Sequence, residues 1–376
     1  MKKIIVIGAG IIGLSVSYYL KKHNFDITVI EKSKAGMEAS YAAAGMLAAQ
    51  SEFDFYEDFM DFCIKSRDMY CDYCNEIEKT SGIDVEFQKC GMLRPASNED
   101  QERHLRANHL SQKNKGFEIE FLSGEEIREI EPSLSKNIIS GLYSTNDGQV
   151  NNRKLMQALI TANKNMNNKI IEDTEIRGYL VNNQNKKIIG VRTSNNKTFN
   201  AEIVVNTAGS WSSLISKDLI PNFNIKPILG QMVSLQSDKA LLNKVIFASI
   251  LGKGGYIVPR RNNEIILGST MEDAGFEKKI TDEGISSILK KCHEIVPELK
   301  KLKIKQKWCG FRPFASDNLP IIGKTNIENL ILATAHGRNG ILLAPITAKA
   351  VEELVVNDRI MPEIADFGIG RFNKRN

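Results

Sequence analysis

Three glycines in Gly8-Ala9-Gly10-Ile11-Ile12-Gly13 form a G-x-G-x-x-G turn close to the start of the chain. Glycine at the first position permits a tight turn, and at the second it lets backbone N–H groups reach a pyrophosphate. The third lets a helix pack close to the preceding strand. Glu31, 18 residues past Gly13 (31 − 13), supplies a carboxylate that accepts from both hydroxyls of a ribose and repels a 2′-phosphate. The chemistry is that of an ADP-containing cofactor, and it disfavours NADP.

Such a turn works only between the right elements. Residues 3–7 are a short apolar, β-branched run, the pattern of a buried parallel strand. Residues 14–22 read as an amphipathic helix, whose N-terminus turns unpaired N–H donors and a partial positive charge toward the phosphate. Residues 27–30 form a second buried strand ending at Glu31. The bland alternative is a glycine-rich turn beside a core helix. Met1-Lys2-Lys3 ahead of an apolar run also imitates a secretory leader, but no small-residue cleavage site follows.

The motif alone does not separate FAD from NAD. Residues 39–49, Ala-Ser-Tyr-Ala-Ala-Ala-Gly-Met-Leu-Ala-Ala, are almost all small. They let backbone approach something large and flat, where an NAD dehydrogenase usually continues as another βα unit. An alanine-rich core helix is the alternative. Near the other end, residues 329–335 read as a strand, residues 336–340 as a polar turn and residues 341–348 as a helix. That second helix N-terminus suits the negative charge of a reduced isoalloxazine. A preorganised donor of this kind is worth about 10²–10³ in rate, by analogy with oxyanion holes.

The composition sets outer limits. With 376 residues, 42% hydrophobic and 25% charged, the chain suffices for two or three domains and excludes collagen-like, disordered and mini-protein classes. A net charge of +5 without a dense Lys/Arg block gives no ground for a nucleic-acid partner. Six scattered cysteines fit reduced thiols in the cytoplasm rather than a disulfide framework. No apolar run has the length of a membrane span.

Together with Trp308-Cys309-Gly310-Phe311-Arg312-Pro313, these segments resemble the D-amino-acid-oxidase superfamily of flavoproteins. Within it the likeness is to the glycine oxidases of the thiamine pathway. It spans essentially the whole chain and is most specific at residues 42–47 and 338–345. The resemblance implies non-covalent FAD and an α/β fold. A Rossmann-like, glutathione-reductase-type FAD domain (residues 1–84, 146–221 and 308–376) joins an α+β substrate domain on a largely antiparallel sheet (residues 85–145 and 222–307). The FAD domain would carry helices over residues 52–80. Expected strands of the substrate domain include residues 231–235, 255–258 and 263–267.

Carried over residue by residue, the cofactor set is Gly8, Gly10, Ile11, Ile12, Gly13, Glu31, Lys32, Ala39, Ser40, Ala43, Ala44, Gly45 and Met46. It continues with Ile176, Ala208, Gly209, His336, Gly337, Arg338, Asn339, Gly340, Ile341 and Leu342. For the substrate, Arg312 is the candidate cation, since a guanidinium grips a carboxylate bidentately. The resemblance adds a Tyr256 hydroxyl on the carboxylate, Met271 as an apolar wall and the Arg338 carbonyl as acceptor for the amine. A homo-oligomer is also implied.

The implied reaction is oxidative deamination of a glycine-like amine, sarcosine or a D-amino acid. The α-hydrogen leaves as hydride to flavin N5, water hydrolyses the imine, and O2 returns H2O2. It requires no residue as general acid or base and no metal. Two other readings stay open: a dehydrogenase of the same fold acting on a D-amino acid or proline-like amine and feeding a quinone, and a non-catalytic flavin-binding module. Gly337 stands where the family tends to carry a larger residue, and Gly254-Gly255 thins another wall, so a wider pocket is expected. Cys71-Asp72-Tyr73-Cys74, with Cys63 upstream, reads as a helix bearing thiols rather than a metal or redox site.

Overall fold

The computed structural model describes residues 1–182, 184, 186–248, 250 and 255–372. Gly254 and most of the glycine-rich stretch before Tyr256 lie outside the described residues.

Two sheets organise the chain. The first has six strands, in the spatial order Ile321–Lys324, Leu330–Thr334, Ile203–Asn206, Lys3–Ile7, Asp26–Ile30 and Lys169–Ile171. All neighbours pair in parallel except the first two. Both faces are covered, which is why its strands read as unbroken apolar runs. Ile4, Val6, Ile27 and Val29 face a helical layer that includes Ile11–Lys21, Asn152–Asn165 and Ala344–Val356. Ile5, Ile7, Val204 and Leu332 face the opposite way, against a three-stranded antiparallel sheet formed by Ile176–Asn182, Lys187–Thr193 and Thr198–Asn200.

The second sheet has eight strands, ordered Lys303–Phe314, Lys226–Gln236, Glu264–Gly268, Tyr256–Pro259, Val245–Phe247, Met92–Ala96, Ser140–Ser144 and Glu120–Ser123. Its pairs are antiparallel except Val245–Phe247 with Met92–Ala96. Side chains alternate between its faces. Val233, Ile257, Ile265 and Leu267 pack with residues of the helix Asp282–Ile295. Met232, Val258, Ile266 and Trp308 point the other way, onto Ala44 and Ala48. The small-residue segment is therefore pressed between the two sheets.

Several expectations need adjustment. The strand Lys303–Phe314 pairs along its length with Lys226–Gln236, so it belongs throughout to the eight-stranded sheet and runs across the boundary expected at 307/308. The alternative reading of residues 39–49 as an alanine-rich helix is the one set aside: a single turn, Ala39–Ala42, gives way to extended backbone. The helices expected over residues 52–80 begin only at Asp58 and break at Met69. The C-terminal helix starts at Ala344 rather than 341, which places Pro345 in its first turn, where a missing N–H costs nothing. Cys71 and Cys74 lie on the helix Tyr70–Ser81, one exposed and one buried. No group of metal-binding side chains occurs among the described residues.

Candidate functional site

A trough runs between the sheets. Its two cavities share Gly10, Ala39, Ser40 and Thr207 in their walls, so they lie end to end.

The first strand delivers the glycine turn. Gly8 has φ +97°, and a Cβ there would sit 2.9 Å from the Thr207 carbonyl oxygen. Gly13 is equally constrained: a Cβ would strike the Gly8 carbonyl. It packs beneath the turn and does not line the trough. Gly10 differs. A Cβ on it would meet only Ser40 Oγ, at an ordinary 3.4 Å, so packing within the chain does not demand glycine there. The open ground faces the trough, which fits a backbone cradle for a pyrophosphate. Ser40 Oγ accepts from the Ile11 amide at 2.9 Å. Among the described residues, the amides of Gly10 and Ile12 donate to no protein group.

Glu31 is buried beside this turn. Its Oε2 accepts from the Ala9 amide (2.8 Å) and its Oε1 from the Ser33 amide (3.1 Å), which fixes the carboxylate in the wall of the far cavity. Lys32, Ile176, Ala208 and Gly209 line the same cavity. Lys32 Nζ stands 3.2 Å from the centre of the Trp211 ring. Burial lowers its pKa, with Glu38 and Glu31 opposing.

The near cavity is built on residues 40–46, and the carbonyls of Ser40, Tyr41, Ala42, Ala44 and Gly45 are taken up by protein donors. Asn152 Nδ2 donates to the carbonyls of Ser40 (2.8 Å) and Tyr41 (3.1 Å), and Trp308 Nε1 to that of Ala42 (3.0 Å). Arg260 Nη2 donates to the Ala44 carbonyl (2.7 Å), and the Val150 amide to that of Gly45 (2.9 Å). The amides of Ala44 and Gly45 find no acceptor among the described residues, and both residues line the cavity with Ala43 and Met46. A flat ring with acceptor atoms along one edge fits that arrangement.

Arg260 is the centre of the clamp. It also donates to Gln149 Oε1, the Val150 carbonyl and Asn152 Oδ1. Burial lowers its pKa to about 10, which still leaves it protonated at neutral pH.

His336, Gly337, Arg338, Gly340 and Ile341 close the near end. His336 is buried with Nε2 3.0 Å from Thr347 Oγ1, and burial pushes its pKa down to about 3. Asn339 and Leu342 do not line the trough. Asn339 braces the turn, its amide donating to the His336 carbonyl (2.9 Å) and its carbonyl accepting from the Leu343 amide (2.8 Å). Leu342 is buried in the helical core, where its carbonyl accepts from Ser66 Oγ. The wider pocket expected from Gly337 does not appear: the Phe314 ring covers that glycine, 2.8 Å from where its Cβ would stand. Gly255 is held by a close approach of its own, 2.6 Å from a would-be Cβ to the Gly268 carbonyl oxygen.

Arg312, Tyr256 and Met271 meet in the same cavity. Arg312 Nη2 donates to Ser269 Oγ (2.6 Å) and Nη1 to the Thr270 carbonyl (3.3 Å). No carboxylate among the described residues pairs with it. Burial raises the Tyr256 pKa, with Arg312 and Ser269 opposing, and its hydroxyl lies 3.0 Å from Met232 Sδ. Met271 is 57% exposed, at the mouth. Sequence reasoning missed Glu52, Ser269, Met232 and Phe247 here, and Glu38 and Trp211 in the far cavity. Met232 is registered opposite Trp308 and Gly268, a cross-strand relationship between segments distant in sequence, and nothing local marked Glu52.

The chain is similar to known proteins over essentially its whole length. The bifunctional protein ThiO/ThiG of Trichormus variabilis is 32% identical over 375 residues, covering 100% of this chain and 56% of that protein. The chain thus spans about half the length of such two-part relatives. The glycine oxidase of Bacillus subtilis is 30% identical over 357 residues, covering 95% and 93% of the two chains. The crystal structure of glycine oxidase from Bacillus cereus superposes with a TM-score of 0.90 at 30% identity, covering 98% of each chain. With residues 3–354 matching its description, the chain belongs to the FAD dependent oxidoreductase (DAO) family.

Proposed function

We propose that the chain oxidatively deaminates a small, glycine-like amino acid or amine and releases H2O2 from O2. One observation carries the substrate class. Arg312 faces the near cavity beside the Ser269 and Tyr256 hydroxyls and the Thr270 carbonyl, with no carboxylate among the described residues to pair with it, which suits the carboxylate of a small zwitterion. The glycine oxidase relatives support the same reading.

The glycine turn and residues 40–46 would hold FAD along the trough, where it would supply a two-electron acceptor for the α-hydrogen. The chain's own residues do the rest. Arg312 fixes the carboxylate, with the Tyr256 hydroxyl beside it. Met271 covers the mouth as an apolar wall. The Arg338 carbonyl accepts an N–H from the amine and aims Cα inward. The amine enters neutral, water hydrolyses the imine, and no side chain transfers a proton from carbon. Orientation and fixed charge supply the catalysis.

Adding glycine, sarcosine, D-alanine and D-proline anaerobically to the yellow holoprotein tests this. Bleaching by the smallest amines, with H2O2 formed on readmitting air, is the expected result. If no amine in the panel reduces the flavin, the enzyme reading fails. Turnover only with an artificial acceptor would replace the oxidase by a dehydrogenase.

The thiamine-pathway resemblance makes the imine product a biosynthetic intermediate. Six free thiols and the absence, among the described residues, of a helix fit to cross a membrane accord with a cytoplasmic enzyme. Gel filtration of the purified protein checks the expected homo-oligomer.

A further inference from the structure

One charged group in the near cavity has no part in that scheme. Glu52 lies in its wall with a side chain only 7% exposed. Its Oε2 is buried and accepts no hydrogen bond from the described residues. The nearest cation among them, Arg338 Nε, is 3.6 Å away, beyond hydrogen-bond reach, and the Arg338 side chain is 45% exposed to water. A buried acceptor without a donor is unfavourable unless something satisfies it.

The carboxylate is also held in place. Buried Asp147 accepts from the amides of Gln50 (3.2 Å) and Ser51 (2.9 Å) and from the Ser51 hydroxyl (2.8 Å), with Arg67 Nη1 at 3.1 Å. The two residues before Glu52 are thereby anchored, and its side chain is kept against the cavity. Tyr256 feels the field of both Arg312 and Glu52, so the cavity carries a cation and an anion within range of one hydroxyl.

We propose that Glu52 is a specificity-determining residue that accepts an N–H from the substrate's nitrogen while Arg312 holds its carboxylate. The assignment rests on the amine-oxidation reading and narrows it to primary or secondary amines bearing a single carboxylate. A neutral tertiary amine has no N–H to give. A second carboxylate on the substrate meets a like charge. As the α-hydrogen leaves with its electron pair, nitrogen gains positive charge, and a carboxylate in contact stabilises it.

Acetate and malonate, which are not oxidised, probe this by perturbing the flavin absorbance of the holoprotein. In the unmodified protein acetate should bind about tenfold or more tighter than malonate, the scale of one like-charge penalty. In Glu52→Gln the gap should shrink to about threefold, with acetate affinity changed by less than about twofold. For sarcosine, kcat/KM should fall about tenfold, chiefly through KM. Arg338→Met, which removes the cation nearest Glu52, should widen the acetate–malonate gap and supplies the answer if Glu52→Gln does not fold. An unchanged gap in Glu52→Gln, or a narrower one in Arg338→Met, overturns the assignment. Because the gap is read from binding, it decides the role of Glu52 even if no amine reduces the flavin, the separate outcome that sinks the oxidase reading.

Discussion

The Arg312 guanidinium lies across Gly230 on the neighbouring strand, and a Cβ built on Gly230 would collide with Arg312 Nη1. The two residues are close diagonal neighbours, since Gly230 is registered opposite Gly310 and Ile228 opposite Arg312. The missing side chain makes the groove in which the guanidinium rests. Gly230→Ala should push it off Ser269 and raise KM for carboxylate substrates by about tenfold or more, with FAD retained. Arg312→Ala should lose about 2–5 kcal/mol of substrate binding, again without loss of flavin. Steady-state kinetics beside the flavin-to-protein absorbance ratio checks both. Parallel loss of flavin in Arg312→Ala would mean that Arg312 is structural.

Arg260 and Ala44 are 216 residues apart in sequence and 2.7 Å apart in space. Arg260→Met strips four acceptors of a buried donor and should destabilise the protein by about 3–5 kcal/mol. The frame of residues 40–46 loosens with it, so FAD should dissociate more readily even where the fold survives. Arg260→Lys keeps the charge but not the fork, and should recover only part of the loss. Melting temperature and FAD retention on dialysis measure the two effects. A variant that melts early yet holds FAD as tightly would separate Arg260 from the cofactor.

These relationships explain what was legible in the chain. The glycine turn, Glu31 and the first two buried strands are local patterns within about thirty residues, whereas the six-stranded order joins them to strands that begin between residues 169 and 330. Arg312 stood out because a cation between Phe311 and Pro313 is unnatural on a surface. Glu52 sits in a run with Asp54, Glu57, Asp58 and Asp61, and nothing local distinguishes the one carboxylate turned inward. The clamp of Asn152, Trp308 and Arg260 on residues 40–44 was equally hidden, because its members come from three distant elements. The late start of the C-terminal helix was missed because Pro345, which suits a first helical turn and not a helix interior, was read as lying inside the helix.

The buried imidazole of His336 gives a pH dependence with a definite sign. Its pKa falls to about 3 in the folded protein, against about 6.5 for an unfolded histidine. Below about pH 6.5 the unfolded chain binds a proton that the folded chain does not, so folding weakens as pH drops. The contribution is complete above about 6.5 and is progressively lost toward about 3. His336→Gln, which keeps a polar partner for Thr347, should flatten the fall in urea midpoint between about pH 7 and 5. The carboxylates contribute alike in both proteins. Parallel curves would mean that His336 titrates alike in the folded and the unfolded chain.

Gly337 lines the near cavity, and the Phe314 ring lies against it. Gly337 has φ +54°, and a Cβ there would lie 2.8 Å from Phe314 Cε1. Gly337→Ala therefore meets two penalties: about 1 kcal/mol for a left-handed residue with a side chain, and about 1–3 kcal/mol for overpacking against the ring. Adding Phe314→Leu should return the second and leave the first. The ring also occupies the space that a larger residue at 337 would fill, so the wild-type protein should discriminate against bulky D-amino acids. Phe314→Ala should raise kcat/KM for D-phenylalanine relative to glycine by about tenfold, since the cleared volume admits a side chain. Competition assays with the two amines measure the ratio. Were Phe314→Ala to leave it unmoved, the limit on substrate size would have to lie at the mouth, beside Met271.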